Sequence, residues 1–202
     1  MLVPVKCAEC SESIKGSLFL SESFILEDSM QVKEILKSQK KKYSDATHVC
    51  HAFIFGKNGE IMGMSDDGEP GGTAGRPMLD VLKGRGVTNI LVTITRWFGG
   101  TLLGTGGLVH AYGEGAKNVL EKTVFQELIE KVCFSFKVDY KSYSAVKKSM
   151  ENWSIFELKE EFNEEICVSG KIPEDDFLDF KEKIFDVSRG KCVMPTAHWA
   201  GG

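Results

Sequence analysis

"TNILVTITRWFGGTLLGTGG", Thr88 to Gly107, decides how the rest of the chain is read. Its first half is a β-branched run with few charged residues, consistent with a strand in the interior of a sheet. Its second half is a glycine loop that runs straight into "LVHAYGEGAKNVLEKT". There Leu108, Val109, Tyr112, Ala116, Val119 and Leu120 recur with helical spacing and form one face. Strand, glycine loop and helix in that order describe an α/β layer.

Upstream, "AGRPMLDVLKGRG" predicts a helix with Pro77 in its first turn, where a missing N–H is harmless, and Gly84 or Gly86 at its end. Before it lies "SDDGEPGGTAGRP", Ser65 to Pro77, with three carboxylates, four glycines and two prolines. It has the composition of a linker but sits inside core sequence, which marks it as a functional loop. Further out, "THVCHAFIFG" and "EIMGMS" around the "KNG" turn predict a hairpin. "SMQVKEILKSQKKKYSDA" predicts a helix capped by Ser29, and "ESIKGSLFLSESFIL" alternates like a strand. The opening "MLVPVKCAEC" is expected to fray.

Downstream the pattern restarts as strand (132–139), helix (143–153), strand (155–161), strand (165–172) and helix (174–185), with a possible last strand at 192–195. This order predicts a ferredoxin-like second domain. Charge divides at the same place. Residues 1–125 hold 14 basic and 14 acidic side chains, and residues 126–202 hold 11 and 15, the whole of the net charge of −4. The expected domains are therefore 1–125 and 126–202. This balance argues against a strongly basic nucleic-acid binder. No apolar run is long enough for a membrane span and the start has no secretory core, so a cytoplasmic protein without membrane association is expected. The six cysteines are expected as free thiols. Cys7 and Cys10 with His48, Cys50 and His51 fit no standard zinc spacing, so neither metal nor cofactor is expected.

Two loops converge on chemistry. Gly71, Gly72, Thr73, Gly75 and Arg76 open one helix, and Gly99, Gly100, Thr101, Gly104, Thr105, Gly106 and Gly107 open another. Glycine backbones at helix N-termini make anion nests, and Arg76 and Arg96 stand beside them. Asp66, Asp67 and Glu69 are candidate metal ligands or bases, or else turn and cap formers. His48 and Cys50 share a strand face, with His51 on the other, and His48 is a further catalytic candidate. Phe98 is expected in the core, whereas Trp97 is open between packing and base stacking.

"SDDGEPGGTAGRPML" followed by "TRWFGGTLLGTGGLVHAY", with "DATHVCHAF" ahead of them, resembles the signature of the YigZ/IMPACT family over about Ser13 to Glu121. The resemblance implies an α+β protein of two domains. The first would be an α/β sandwich with a left-handed βαβ crossover, as in a ribosomal-protein domain and GHMP-type kinases. The second would be ferredoxin-like, similar to a domain of elongation factor G. It implies association with ribosome or structured RNA. Eukaryotic relatives, which carry an extra domain, are linked to translation initiation. Gly71 stands where the family has serine, Trp97 where it has tyrosine, and Leu18 and His110 where it has arginine. Three readings follow: a translation-linked binding protein, an enzyme on a phosphorylated small molecule, and a protein-interaction module.

Overall fold

A computed structural model describes residues 1–192 and 194, and the backbone of 198 and 199. The chain divides into two compact units, Met1–Leu128 and Ile129–Gly202. The division falls beyond residue 125 because the chain end of the first unit returns to its beginning. Strand β1 (Leu2–Lys6) pairs antiparallel with β7 (Val124–Glu127), and Leu128 N–H donates to the Met1 carbonyl at 2.8 Å. The N-terminus is therefore a strand and not a frayed end.

The first unit is built on a five-stranded sheet whose strands lie in the order β2 (Glu9–Ile14), β3 (Ser17–Ile25), β6 (Ile90–Trp97), β4 (His48–Phe55) and β5 (Ile61–Ser65). The stretch expected as one strand is a hairpin, β2 (Glu9–Ile14) and β3 (Ser17–Ile25). Lys15 and Gly16 turn it with φ of 47° and 82°, the primed-turn pattern that matches the twist of paired strands. Strands β4 (His48–Phe55) and β5 (Ile61–Ser65) form the expected second hairpin. Between the two hairpins lies β6 (Ile90–Trp97), hydrogen-bonded to β3 and β4 and buried along seven of its eight residues. The connection from β5 through helix α2 (Gly75–Arg85) to β6 skips over β4, and because β5 and β6 both run antiparallel to β4 they are parallel to each other.

Helices α2 (Gly75–Arg85) and α3 (Gly104–Lys122) cover one face of this sheet, and α1 (Gln31–Lys42) covers the other. Helix α2 ends at Gly86, whose φ of 67° lets its N–H reach back to Leu82 and Lys83 carbonyls, while Gly84 stays within the helix. Helix α1 is not capped by Ser29. The Asp28 carboxylate accepts from Met30 N–H at 2.8 Å, and the Gln31 side-chain oxygen accepts from Glu27 N–H. The buried face of α3 contains Leu108, Ala111, Tyr112, Gly115, Ala116, Val119 and Leu120, while Val109 lies outside it. Small residues decide this: a Cβ on Gly115 would stand 2.8 Å from Ser21 Oγ and 3.0 Å from Ile94, so glycine lets the helix reach the sheet.

The second unit holds β8 (Lys131–Val138), α4 (Tyr140–Met150), β9 (Phe156–Phe162), β10 (Ile166–Pro173), α5 (Glu174–Val187) and β11 (His198–Trp199), with strand order β11-β8-β10-β9. Helix α4 starts ahead of its expected position because Asp139 caps it, accepting from Ser142 N–H at 2.7 Å. Phe134, Phe136, Ile166, Val168, Phe180 and Ile184 fill its core. The strand expected at 192–195 lies partly outside the described residues. Cys192 and Met194 are buried there without strand structure. Among the described residues, no helix is long and apolar enough to cross a membrane.

Candidate functional site: two glycine loops above a buried ion pair

The acidic loop begins with a turn. Asp67 and Gly68 both have positive φ, and Glu69 N–H donates to the Asp66 carbonyl at 2.9 Å. This reversal sends the three carboxylates to three different places. Asp66 folds forward over the glycines and accepts from Gly72 N–H (2.8 Å), Ala74 N–H (3.0 Å) and Gly75 N–H (2.8 Å). Partial burial works against the charged form, but these three donors prevail and hold the carboxyl below its ordinary range. Three backbone N–H groups of the first glycine loop thus converge on one of the protein's own carboxylates.

Asp67 turns back to β4 and α1. Its carboxylate accepts from Val49 N–H at 2.8 Å and pairs with Lys40. Its carbonyl lies 2.8 Å from His48 Nδ1 and must accept there, so that nitrogen carries the proton. His48 Nε2 then stands 3.8 Å from Glu69 Oε2. Glu69 points inward to the sheet, where Oε1 accepts from Arg96 Nη1 and from the Tyr112 hydroxyl, each at 2.7 Å. Arg96, 5% exposed, comes from the end of β6 and also reaches Ser17 Oγ at 3.3 Å. The rings of Phe19 and Phe98 flank its guanidinium. Burial raises the Tyr112 hydroxyl far above its usual value, so it stays a donor. The Cys50 thiol donates to the Asp66 carbonyl at 3.0 Å, and burial pushes it up to about 12. A thiol held protonated is no nucleophile.

The expected anion-binding residues separate into three sets. Gly75 and Gly99 are required by close backbone approach: a Cβ on Gly75 would lie 2.9 Å from Ser65 N, and one on Gly99 would lie 1.9 Å from the Gly16 carbonyl carbon. Gly72, Thr73, Arg76 and Arg96 have internal partners. The Thr73 hydroxyl donates to the Pro70 carbonyl at 2.6 Å, and Arg76 pairs with Asp80 on the exposed side of α2. The third set remains open. Cβ atoms on Gly71, Gly100, Gly104 and Gly106 would meet nothing within 4 Å, and Thr101 is exposed beside them. Gly107, by contrast, packs against Leu103.

The second glycine loop is shorter than expected, because Gly104 to Gly107 already form the first turn of α3. That turn has no side-chain cap and no acidic residue, and it begins a helix of 19 residues. Phe98 lies outside the core, 47% exposed, and Leu102 is 82% exposed. Trp97 is fixed from the other side of the sheet by Asp45, which accepts from its Nε1–H at 3.0 Å, and by edge-on contact with Tyr43. The buried Tyr112–Glu69–Arg96 cluster escapes sequence reasoning, since Tyr112 reads as one more core position of α3. Only its polar tip distinguishes it.

These loops and the cluster between them lie within the stretch, residues 15–120, that matches a family model described as the Impact N-terminal domain. The chain belongs to this family. An IMPACT family member of Haemophilus influenzae is 33% identical over 96% of this chain and 95% of its own length. The IMPACT family member YigZ of Escherichia coli is 31% identical over 96% of both chains. A crystal structure of a hypothetical protein, 30% identical, superposes with a TM-score of 0.67 over 96% of this chain and 95% of that one. The likeness to IMPACT relatives thus spans both units of the fold.

Proposed function

We propose that this IMPACT-family chain is a translation-associated binding protein that docks on the ribosome or on structured RNA with the open rim of its two glycine loops. The observation that carries this reading is the bare first turn of α3. Its backbone N–H groups, at the positive end of a long helix, are uncapped and exposed, and no carboxylate of the first turn competes for them. Gly71 and Gly106 have ordinary φ and open space, so the fold itself does not require glycine there. Bare backbone at those points suits the close approach of a sugar–phosphate chain. Phe98 and Leu102 add exposed apolar surface on which a splayed base can stack. The family resemblance supplies the translational context, and the reading places the protein in the cytoplasm.

The enzyme reading is less well supported. It needs Asp66, Asp67 and Glu69 to converge on a substrate or metal, and each carboxylate is engaged elsewhere. On fold, the order β11-β8-β10-β9 with two helices supports a ferredoxin-like second unit akin to an elongation factor G domain. The β5–α2–β6 connection supports the crossover expected of the first, with its left hand carried by resemblance.

The test is co-sedimentation with ribosomes at low and moderate salt, comparing wild type with Thr105→Glu/Gly106→Glu. Carboxylates in a helix first turn favour the helix, so the variant keeps its fold while repelling phosphate. Salt-sensitive binding lost in the variant is expected. Wild-type binding that is absent at both salts, or unchanged in the variant, overturns the reading. Arg96→Glu is unsuitable for this purpose, because it would bury two carboxylates side by side.

A further inference from the structure

Among the described residues the five-stranded sheet ends in β2 and β5 and the four-stranded sheet in β11 and β9, and the sequence treats these edges differently. In the five-stranded sheet, β2 ("ECSESI") carries Glu9 and Glu12. In the four-stranded sheet, β9 ("FELKEEF") carries Glu157, Lys159, Glu160 and Glu161. Charges on an edge repel a further strand. Strand β5 ("IMGMS") has none, and among the described strands it bonds only to β4. Ile61, Met62 and Met64 are 46%, 43% and 45% exposed along it. The register with β4 puts Ile61, Gly63 and Ser65 on the face shared with Phe55 and Phe53, and Met62 and Met64 on the face shared with Ile54 and Ala52. The edge is therefore apolar on both faces and unguarded.

We propose that β5 is a self-association edge, on which a second copy of this chain adds its own β5 antiparallel to form one continuous sheet. The sequence of the strand selects this occupant. A two-fold axis normal to a sheet keeps each side chain on its own face, so paired residues must share a face. An axis through Gly63 satisfies this over the full strand: Ile61 meets Ser65 of the second copy, Gly63 meets Gly63, and Met62 meets Met64. The Met-Gly-Met centre is its own complement. It gathers four methionines on the face toward α2, and flexible thioether chains adapt well to such a contact. On the opposite face the small Gly63 pair avoids crowding, since Phe53 already fills the space above Gly63, 2.5 Å from where a Cβ would stand. One short strand pair buries less than a standard obligate interface, so the dimer is weak and concentration-dependent.

Sedimentation velocity of the full chain across a wide concentration series tests this. A concentration-dependent shift from monomer to dimer is expected, with Met64→Lys remaining monomeric. Position 64 is exposed, so that variant keeps the wild-type melting curve. The register has its own test. Met62→Cys/Met64→Cys, oxidised and mapped by mass spectrometry, gives a crosslink between 62 of one copy and 64 of the other, whereas Met62→Cys alone does not. A wild-type chain that stays monomeric at the highest concentration overturns the proposal. So does a dimer unaffected by Met64→Lys, or crosslinking in another register.

Discussion

Beneath α2 and α3 the sheet of the first unit buries Arg96 against Glu69, Tyr112 and Ser17; beneath α1, the same strand β6 buries Thr93 and Thr95 beside Glu22 and Gln39. On the first face the polar groups meet in short, charge-assisted bonds, and Arg96 Nε alone lacks a partner in that set. On the second, one oxygen of each of Glu22, Gln39, Thr93 and Thr95 is buried without a partner. Register brings these groups together, since Thr93 lies opposite both Glu22 on β3 and His51 on β4. Helix α1 accordingly packs in two halves. Val32, Ile35 and Leu36 rest on Leu26, Leu91 and Phe53, while Gln39, Lys42 and Tyr43 approach the polar row, with Lys42 and Tyr43 both donating to Glu22 at 3.1 Å. Burial is therefore not one condition. A polar group in the core stabilises where its partner is built in, and costs stability where it is not.

The largest effect expected from this contrast is at Arg96. Arg96→Met leaves Glu69 buried with the Tyr112 hydroxyl as its remaining short donor. Chemical denaturation should show a loss of about 3–5 kcal/mol, as for any broken buried pair. A loss below about 1 kcal/mol would mean that water reaches the pair and that the two faces do not differ. On the α1 face the sign reverses. Thr93→Val removes an unpartnered hydroxyl at constant shape and should raise stability by about 0.5–1 kcal/mol in the same measurement. Destabilisation instead would reveal ordered water satisfying the row. The smallest effect is a pH dependence. Burial, with Lys40 adding to it and Asp67 opposing, lowers the basicity of His51, so the folded chain holds it neutral to lower pH than the unfolded chain does. The unfolded state then binds the proton first. The stability owed to neutral His51 is complete above about pH 6.5 and declines as pH falls from there through the folded value. His51→Gln should flatten the thermal-melting profile between about pH 6.5 and 5. An unchanged slope would assign the titration to another group.

Periodicity makes the central elements legible in the sequence: β4, β5, α2, β6 and α3 all lie close to their expected places. What it misses has physical reasons. The Lys15–Gly16 turn hides inside an alternating run, because a two-residue turn does not interrupt the alternation. Strand β1 is invisible locally, since its partner β7 is more than a hundred residues away. The face of α3 is misdrawn at Val109, because sequence weighs a side chain by hydrophobicity while the sheet admits Ala111 and Gly115 by size. At the candidate site, residue types are legible and their directions are not. Asp66, Asp67 and Glu69 are near neighbours in sequence, and one turn with two positive-φ residues aims them at a glycine loop, at α1 and at the core. No spacing rule encodes that divergence. The same holds for Arg96, which sequence sets beside the loops and the strand alternation sends inward.

The carboxylate of Asp66 also sets terms for anything that would bind the first loop. It sits only six residues from Gly72 and occupies the backbone donors as a tethered anion. Its effective concentration there is on the order of millimolar or higher, as for any group held on a short chain. A free phosphate or a small metabolite competes poorly against such a resident. A polyanion docked on the open turn of α3, as proposed above, would itself be tethered and would meet Asp66 on equal footing. On the proposed reading the loop would filter its visitors by valency, ignoring single charges in dilute solution and yielding only to a partner already held nearby.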